Sequence, residues 1–168
     1  MRFKLITLIL FLFSSSIYSQ EFENGSIITQ RYDTITNVKV KKMSDSKSLL
    51  HITYIDTNGE EQNPDIESIK YYTRGNEIFT RIYSSGEMIL VKQLTSGKKL
   101  NLFERDYNGS KVYYVEKVFD ETIKVPSSKG KFKKVLSAFL DDTPHVSEKI
   151  KSEELSDINE IVTLYNNM

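Results

Sequence analysis

The sequence predicts an α+β protein, in which an antiparallel β-meander forms a small barrel or a strongly curved sheet and two or three amphipathic helices follow it. Three observations predict this class. Glycine turn signals recur every 11 to 12 residues, at Gly75, Gly86, Gly97 and Gly109, a spacing typical of antiparallel hairpins. Beyond Pro126 the apolar period changes from 2 to 3.6, which indicates helices. The runs between the glycines carry apolar residues on both faces.

The first residues predict an export signal. Arg2 and Lys4 precede a largely apolar run at residues 5–13, and small residues follow at 14–19. This order is the signature of a secretory signal peptide, and the run is shorter than the ~20 residues that span a bilayer. We therefore expect residues 1–19 to be a signal peptide, rather than an uncleaved anchor or a buried helix. The mature protein is then exported, either periplasmic or extracellular.

Residues 20–168 are the size of one ordinary domain, with a β-rich part at 20–126 and a helical cap at 127–168. The sequence has no cysteine, so core packing must stabilise the domain without disulfides. It has 23 basic and 23 acidic residues, whereas nucleic-acid binding usually requires a basic surface. We therefore expect no nucleic-acid partner. No second apolar run is long enough for an integral membrane span after signal cleavage.

The strands are predicted from runs rich in Ile, Val, Thr and Tyr between the turn signals. They are expected at residues 26–31, 34–42, 49–55, 68–73, 77–83, 88–95, 99–106, 111–118 and 121–125. Neighbouring side chains in a strand point to opposite faces, so Leu100 and Leu102 face one side and Phe103 the other. The sheet is therefore apolar on both faces in places, and one of them needs a cover.

Three helical segments at the end of the chain are expected to supply that cover. Ser127 or Ser128 can cap the first, Thr143 with Pro144 marks the start of the second, and Ser156 can cap the third. The apolar stripes are expected to consist of Phe132, Val135, Leu136, Phe139, Leu140, Val146, Ile150, Ile158, Ile161, Val162 and Tyr165.

A motif near the start of the mature chain carries a resemblance. The sequence GSIITQRYDTI fits the pattern G-x-I-x-T-x-x-G-D-T-I at Gly25, Ile27, Thr29, Asp33, Thr34 and Ile35. On this pattern and on its helical tail, the chain resembles a group of small, uncharacterised, secreted β-rich proteins common in the Bacteroidota. Tyr32 stands where the group has Gly, and Thr143 stands where it has Cys before Pro144. The resemblance implies an exported envelope protein and carries no catalytic residue.

Residues able to bind a metal or form a catalytic centre are sparse. The two histidines, His51 and His145, do not form a zinc pattern without cysteines. Residues 56–67 place oxygens as an EF-hand does, but Glu61 stands where that loop needs Gly and Pro64 occupies its ninth position. There is no nucleophile elbow and no phosphate-binding glycine loop. We therefore expect no cofactor, no metal and no enzymatic activity.

Two features leave alternatives open. Lys129, Lys131, Lys133 and Lys134 are read as a solvated helix face, the alternative being a contact with anionic lipid or polysaccharide. Tyr72, Tyr83, Tyr107 and Tyr113 are a candidate binding surface that stacks on sugar or docks a peptide, the alternative being core packing under the helices.

The sequence therefore predicts an exported, non-enzymatic cell-envelope module that binds a protein or a glycan. The alternative is a carrier with a lipid or sugar in its barrel cavity. A hydrolase that uses two carboxylates is a third, less favoured reading. Any two of the 23 acids can meet in space by chance, so the sequence carries no specific signal for such a pair.

Overall fold

The structure is a computed structural model that describes residues 21–118 and 120–168. The predicted signal peptide, residues 1–19, lies outside the described residues. The chain divides into two compact units, with the boundary between Phe79 and Thr80. Each unit is described by itself below.

The first unit contains five whole strands and a short helix. The strands are β1 (Phe22–Thr29), β2 (Thr34–Lys41), β3 (Tyr54–Ile55), β4 (Glu61–Gln62) and β5 (Ile69–Arg74). Helix α1 (Asp45–Ser48) follows β2, and a 3-10 turn (Ile66–Ser68) precedes β5. The strand order is β5-β1-β2-β3-β4, and every neighbouring pair is antiparallel.

The turn between β1 and β2 explains why Tyr32 is unusual. Its φ is 66°, a left-handed conformation that favours glycine. This is the position at which the resembling proteins have Gly. The Nζ atom of Lys70 lies 3.9 Å from the centre of the Tyr32 ring, and such a cation–π contact offsets part of the backbone strain.

A buried arginine joins α1 to the sheet of the first unit. Arg74 is 2 % exposed, and its Nε and Nη2 donate to Glu77 Oε2 at 2.8 and 2.6 Å. Its Nη1 donates to Ser48 Oγ at 2.8 Å. The Tyr72 hydroxyl donates to the Ser48 carbonyl at 2.7 Å, and its ring stacks on Phe79 with centroids 4.5 Å apart. The charge of Arg74 is thus paired inside the unit, as a buried charge requires.

The second unit is a meander followed by three helices. Most of β6 (Glu77–Ser84) belongs to it, and β7 (Glu87–Thr95), β8 (Leu100–Tyr107), β9 (Ser110–Lys117) and β10 (Thr122–Lys124) follow. The strand order equals the chain order, and the pairs β7–β8, β8–β9 and β9–β10 are antiparallel. The helices are α2 (Lys129–Phe139), α3 (Pro144–Lys151) and α4 (Ile158–Asn167).

Two of the predicted glycine turns are tight hairpins. The central residues Ser85 and Gly86 have φ of 54° and 88°, and Asn108 and Gly109 have φ of 54° and 93°. Two positive φ values in a two-residue loop define a type I′ turn, whose twist matches that of the strands it joins. The prediction that these glycines mark the corners of a meander is confirmed.

The C-terminal helices cover one face of the meander. Leu100, Leu102 and Val115 form one buried cluster with side chains of all three helices, and Phe132 and Phe139 pack half-buried against it. The helical members of the cluster are Leu136, Leu140, Val146, Ile150, Ile158, Ile161, Val162 and Tyr165. The other face carries a separate cluster of Ile82, Val91, Phe103 and Tyr114. The predicted two-faced strand and its helical cover are therefore both present.

The α+β class, with antiparallel strands and three C-terminal helices, is confirmed. The barrel alternative is wrong, because among the described residues no pairing joins the first and last strands of the order in either unit. The strongly curved sheet stays a prediction.

Two local predictions differ from the structure. The strand expected at 49–55 is reduced to Tyr54–Ile55, because the chain forms α1 just before it and then a turn. His51 therefore lies in a loop rather than in a strand. The N-cap of α4 is Asp157 rather than Ser156, since its Oδ1 accepts from the amides of Asn159 and Glu160 at 2.8 and 3.1 Å.

Candidate ligand groove

A groove of about 700 Å³ lies in the second unit, where β9 and β10 meet the starts of α2 and α4. This volume is in the range of sites that bind small molecules. Residues 111–113 line it from β9, residues 124–128 from β10 and the segment after it, residues 131–132 from α2, and residues 156–158 from the start of α4.

The local sequence explains how the groove forms. The amide of Val125 donates to the Tyr113 carbonyl at 2.9 Å, which continues the β9–β10 ladder by one residue. Pro126 has no amide hydrogen and ends the ladder. The chain then turns into α2, whose N-cap is Ser128. The end of β10 and the first turn of α2 are thereby held beside β9, with a gap between them.

The floor of the groove is apolar and is anchored in the core. Val125 and Ile158 are buried, whereas Tyr113 and Phe132 are half-buried and pack against the helix-covered cluster. Their rings are therefore fixed on one side by the core and border the groove on the other. Rings held in this way are available for stacking without a further cost of ordering.

A buried carboxylate fixes one end of the floor. Glu104 lies directly opposite Tyr113 in the β8–β9 register, and it is 4 % exposed. Its Oε1 is 3.0 Å from Lys111 Nζ. Burial, followed by the charge and the hydrogen bond of Glu104, raises the pKa of Tyr113 above its ordinary value. The Tyr113 hydroxyl therefore stays protonated and is held in place.

The rim of the groove carries polar groups with no partner in the protein. Within residues 21–118 and 120–168, the hydroxyls of Ser127, Ser128 and Ser156 make no hydrogen bond, and Lys124 and Lys131 form no ion pair. All five residues are exposed. They offer five hydrogen-bonding groups to a molecule in the groove.

The acidic residue of the groove has a structural role. Among the described lining residues, Asp157 alone is acidic, and its Oδ1 accepts the two amide hydrogen bonds that cap α4. A carboxylate at a helix N-terminus is stabilised by the helix dipole. Asp157 therefore serves the helix, and it is the one acidic side chain among the described residues that line the groove.

The four tyrosines predicted as a binding surface do not form one strip. Tyr72 is 1 % exposed in the core of the first unit, so it does not form part of an exposed surface. Tyr83 and Tyr107 are 63 % and 48 % exposed. Tyr107 is three residues from Glu104 on β8, so it lies on the face opposite to Tyr113. Of the four, Tyr113 lines the groove.

A second cavity, of about 450 Å³, is lined by Asp120 and Asp142 among other residues. Asp142 accepts from the Tyr165 hydroxyl at 2.6 Å and from Lys117 Nζ at 3.0 Å. Burial acts to raise the pKa of Asp142, but these two hydrogen bonds outweigh it and hold the pKa below its ordinary value. Hydrolysis by two carboxylates needs one with a raised pKa as the acid, which Asp142 does not supply.

The residues considered for metals are placed as follows. His51 and His145 are both exposed, in a loop and in the first turn of α3. Asp56 closes its own turn, accepting from the amides of Asn58 and Glu60 at 2.9 and 3.0 Å. These backbone hydrogen bonds lower its pKa. In the part of the chain that the structure describes, no group of three His, Cys, Asp or Glu side chains is arranged to hold a metal.

No helix within the described ranges is both long enough and apolar enough to cross a membrane. No protein-family model, no curated protein and no solved structure matches this chain.

Proposed function

We propose that the protein is an exported, non-enzymatic module of the cell envelope that binds a glycan in the groove between β9, β10, α2 and α4. The observation that carries the proposal is the combination of two anchored rings, Tyr113 and Phe132, with a rim of unpartnered hydroxyl and amino groups. Sugars are recognised by this combination, because a ring stacks on the apolar face of a pyranose while its hydroxyls need hydrogen-bond partners.

The groove favours a glycan over a protein partner. Peptides that join a sheet need a free strand edge of useful length, and β10, which borders the groove, has three residues. Peptide helices need a long apolar trough, whereas the apolar floor here is surrounded by serines and lysines. A short polar saccharide fits the mixture of groups better.

Export is supported by the order of charges and apolar residues at positions 1–19. It is also supported by the resemblance to secreted β-rich proteins of the Bacteroidota. A glycan ligand agrees with an envelope location, since saccharides are abundant there.

The alternative of a carrier with a barrel cavity receives less support. Leu100 and Leu102 pack in the cluster beneath the helices rather than around an open interior. The hydrolase reading receives less support as well, because Asp157 is the one acidic side chain among the described residues that line the groove, and the pKa of Asp142 in the second cavity is lowered rather than raised.

The experiment that tests the proposal blocks the groove. Ser127 is exposed in the segment between β10 and α2, so Ser127→Trp places a large ring at the groove without disturbing the core. The matched control is Thr57→Trp, at an exposed turn of the first unit. Binding of purified envelope oligosaccharides to residues 20–168 is measured by calorimetry, and thermal unfolding confirms that both variants fold.

We expect the wild-type protein and Thr57→Trp to bind the same oligosaccharide with equal affinity, and Ser127→Trp to bind at least about tenfold more weakly. Full affinity in folded Ser127→Trp would show that the groove is not the site. A wild-type protein that binds no envelope oligosaccharide would contradict the proposed function itself.

A further inference from the structure

We propose that the glycan is acidic, and that Lys124 and Lys131 bind its carboxylate or phosphate groups. This inference rests on the proposed function and deepens it. The groove is lined by three lysines, Lys111, Lys124 and Lys131, and by Asp157. The sign of the ligand's charge follows from which of these four charged groups are already neutralised within the protein.

Two of the four charges are engaged in the fold. Lys111 Nζ lies 3.0 Å from the buried carboxylate of Glu104, so its charge balances a negative charge under the floor. Asp157 caps α4 through two backbone amides. Lys124 and Lys131 have no anionic partner within the described residues. The groove therefore presents two cationic groups that are free to bind an anion.

Two of the three α2 lysines outside the groove differ from Lys131 in their contacts. Lys129 and Lys133 lie in α2 with Lys131, and both contact Glu153, at 2.5 and 3.5 Å. The hydrogen bond and charge of Lys129, and to a lesser extent those of Lys133, lower the pKa of Glu153. Among the described residues, Lys129 and Lys133 are thus paired with Glu153, whereas Lys131 at the groove and Lys134 outside it have no anionic partner.

The two unpaired lysines come from different walls of the groove. Lys124 is the last residue of β10, and Lys131 lies in the first turn of α2. An anionic group between them is approached from both sides, and the hydroxyls of Ser127 and Ser128 lie along the connecting segment. Ammonium–carboxylate and ammonium–phosphate hydrogen bonds are about twice as strong as neutral ones. Acidic sugars should therefore bind in preference to neutral sugars of the same length.

The experiment compares three oligosaccharides of equal length: one that contains uronic acids, the same one with its carboxylates reduced to alcohols, and one that carries phosphate esters. Affinity for residues 20–168 is measured by calorimetry at low and at high salt. The variant Lys124→Gln/Lys131→Gln is compared with the control Lys129→Gln/Lys133→Gln. Both pairs of changes remove two positive charges.

We expect the acidic oligosaccharides to bind about tenfold more tightly than the reduced one at low salt, and this preference to shrink at high salt. The Lys124→Gln/Lys131→Gln variant should lose the preference, and the control should keep it. The arm that binds more tightly identifies carboxylate or phosphate as the natural group. Equal binding of the acidic and reduced forms would overturn the acidic ligand and leave the proposed function standing. If the wild-type protein bound none of the three oligosaccharides, both the acidic ligand and the proposed function would be overturned.

Discussion

At the residue scale, the side chain of Asn166 forms a hydrogen-bonded clamp within the second unit. Its Oδ1 accepts from the amides of Lys99 and Leu100 at 3.0 and 2.9 Å, and its Nδ2 donates to the Leu100 carbonyl at 2.9 Å. These bonds join the last turn of α4 to Lys99, in the loop after β7, and to Leu100, the first residue of β8. A Cβ at Gly97 would collide with the Asn166 amide. Gly97 is therefore required for a close approach, unlike the turn glycines Gly86 and Gly109.

We predict that Asn166→Ala lowers the free energy of unfolding by about 2–3 kcal/mol, because it removes three hydrogen bonds and leaves backbone groups of the loop without partners. Chemical denaturation is the measurement. Asn167→Ala, at the exposed neighbouring position, serves as the control and should change stability by less than about 0.5 kcal/mol. Equal effects of the two changes would mean that the clamp contributes nothing.

The buried Arg74 gives a second prediction at this scale. Glu77→Ala removes its closest anionic partner, and an uncompensated buried charge costs about 3–5 kcal/mol. Glu87 also begins a strand, but it is exposed, so Glu87→Ala is a matched control and should be nearly neutral. A Glu77→Ala protein as stable as Glu87→Ala in urea denaturation would show that the ion pair is not needed.

At the element scale, α2 contributes Leu136 to the cover over the meander. Leu136 is fully buried in the cluster with Leu100 and Leu102. Leu136→Ala should lower the free energy of unfolding by about 2–5 kcal/mol, since it removes packed atoms and leaves a cavity. Lys134→Ala changes an exposed position of the same helix and should leave stability almost unchanged. If α2 did not hold the sheet, the two variants would denature at the same midpoint.

The elements were predicted from the sequence to different degrees. The long strands and the three helices follow from periodicity and turn residues, and they were placed to within a few residues. The turn at Asp45–Ser48 and the strand Glu61–Gln62 were missed because they are too short to show a period. Asp157 was missed as a cap because Ser156, beside it, has an equally favourable side chain.

The groove shows why a site is harder to predict than an element. Tyr113 was proposed from its aromatic ring, and Lys131 was recognised within the lysine cluster. Their proximity depends on α2 folding back beside β9 after Pro126, and local sequence patterns do not specify that approach. Arg74 was not recognised at all, because a single arginine near a strand end gives no signal of its burial.

At the scale of the whole molecule, buried tyrosines link stability to alkaline pH. Burial raises the pKa of Tyr114 and of Tyr165 to about 12, with hydrogen bonding to Tyr107 and Asp142 as the next causes. Burial also raises the pKa of Tyr72. Above pH 10, the ordinary tyrosine value, the unfolded chain releases these protons while the folded chain keeps them. Stability therefore falls as pH rises from 10 towards 12.

We predict that the midpoint of urea denaturation decreases steadily over this range and that the part of the tyrosinate absorbance contributed by the buried tyrosines appears together with unfolding. The variant Tyr165→Phe removes one titrating group and should flatten the decrease, although it also loses the hydrogen bond to Asp142. Ionisation of the buried tyrosines before any loss of structure would contradict this expectation.

The clamp made by Asn166 also has a consequence for the order of folding. It joins positions 66 residues apart, and contacts so distant along the chain form late, because a long loop must close first. The two type I′ hairpins are local and assemble within microseconds. Between these events, the side chains of Leu100 and Leu102 are exposed to solvent on a sheet whose hairpins have already formed. During that interval the folding protein is most prone to aggregation. A chaperone that binds exposed apolar strands would recognise this intermediate.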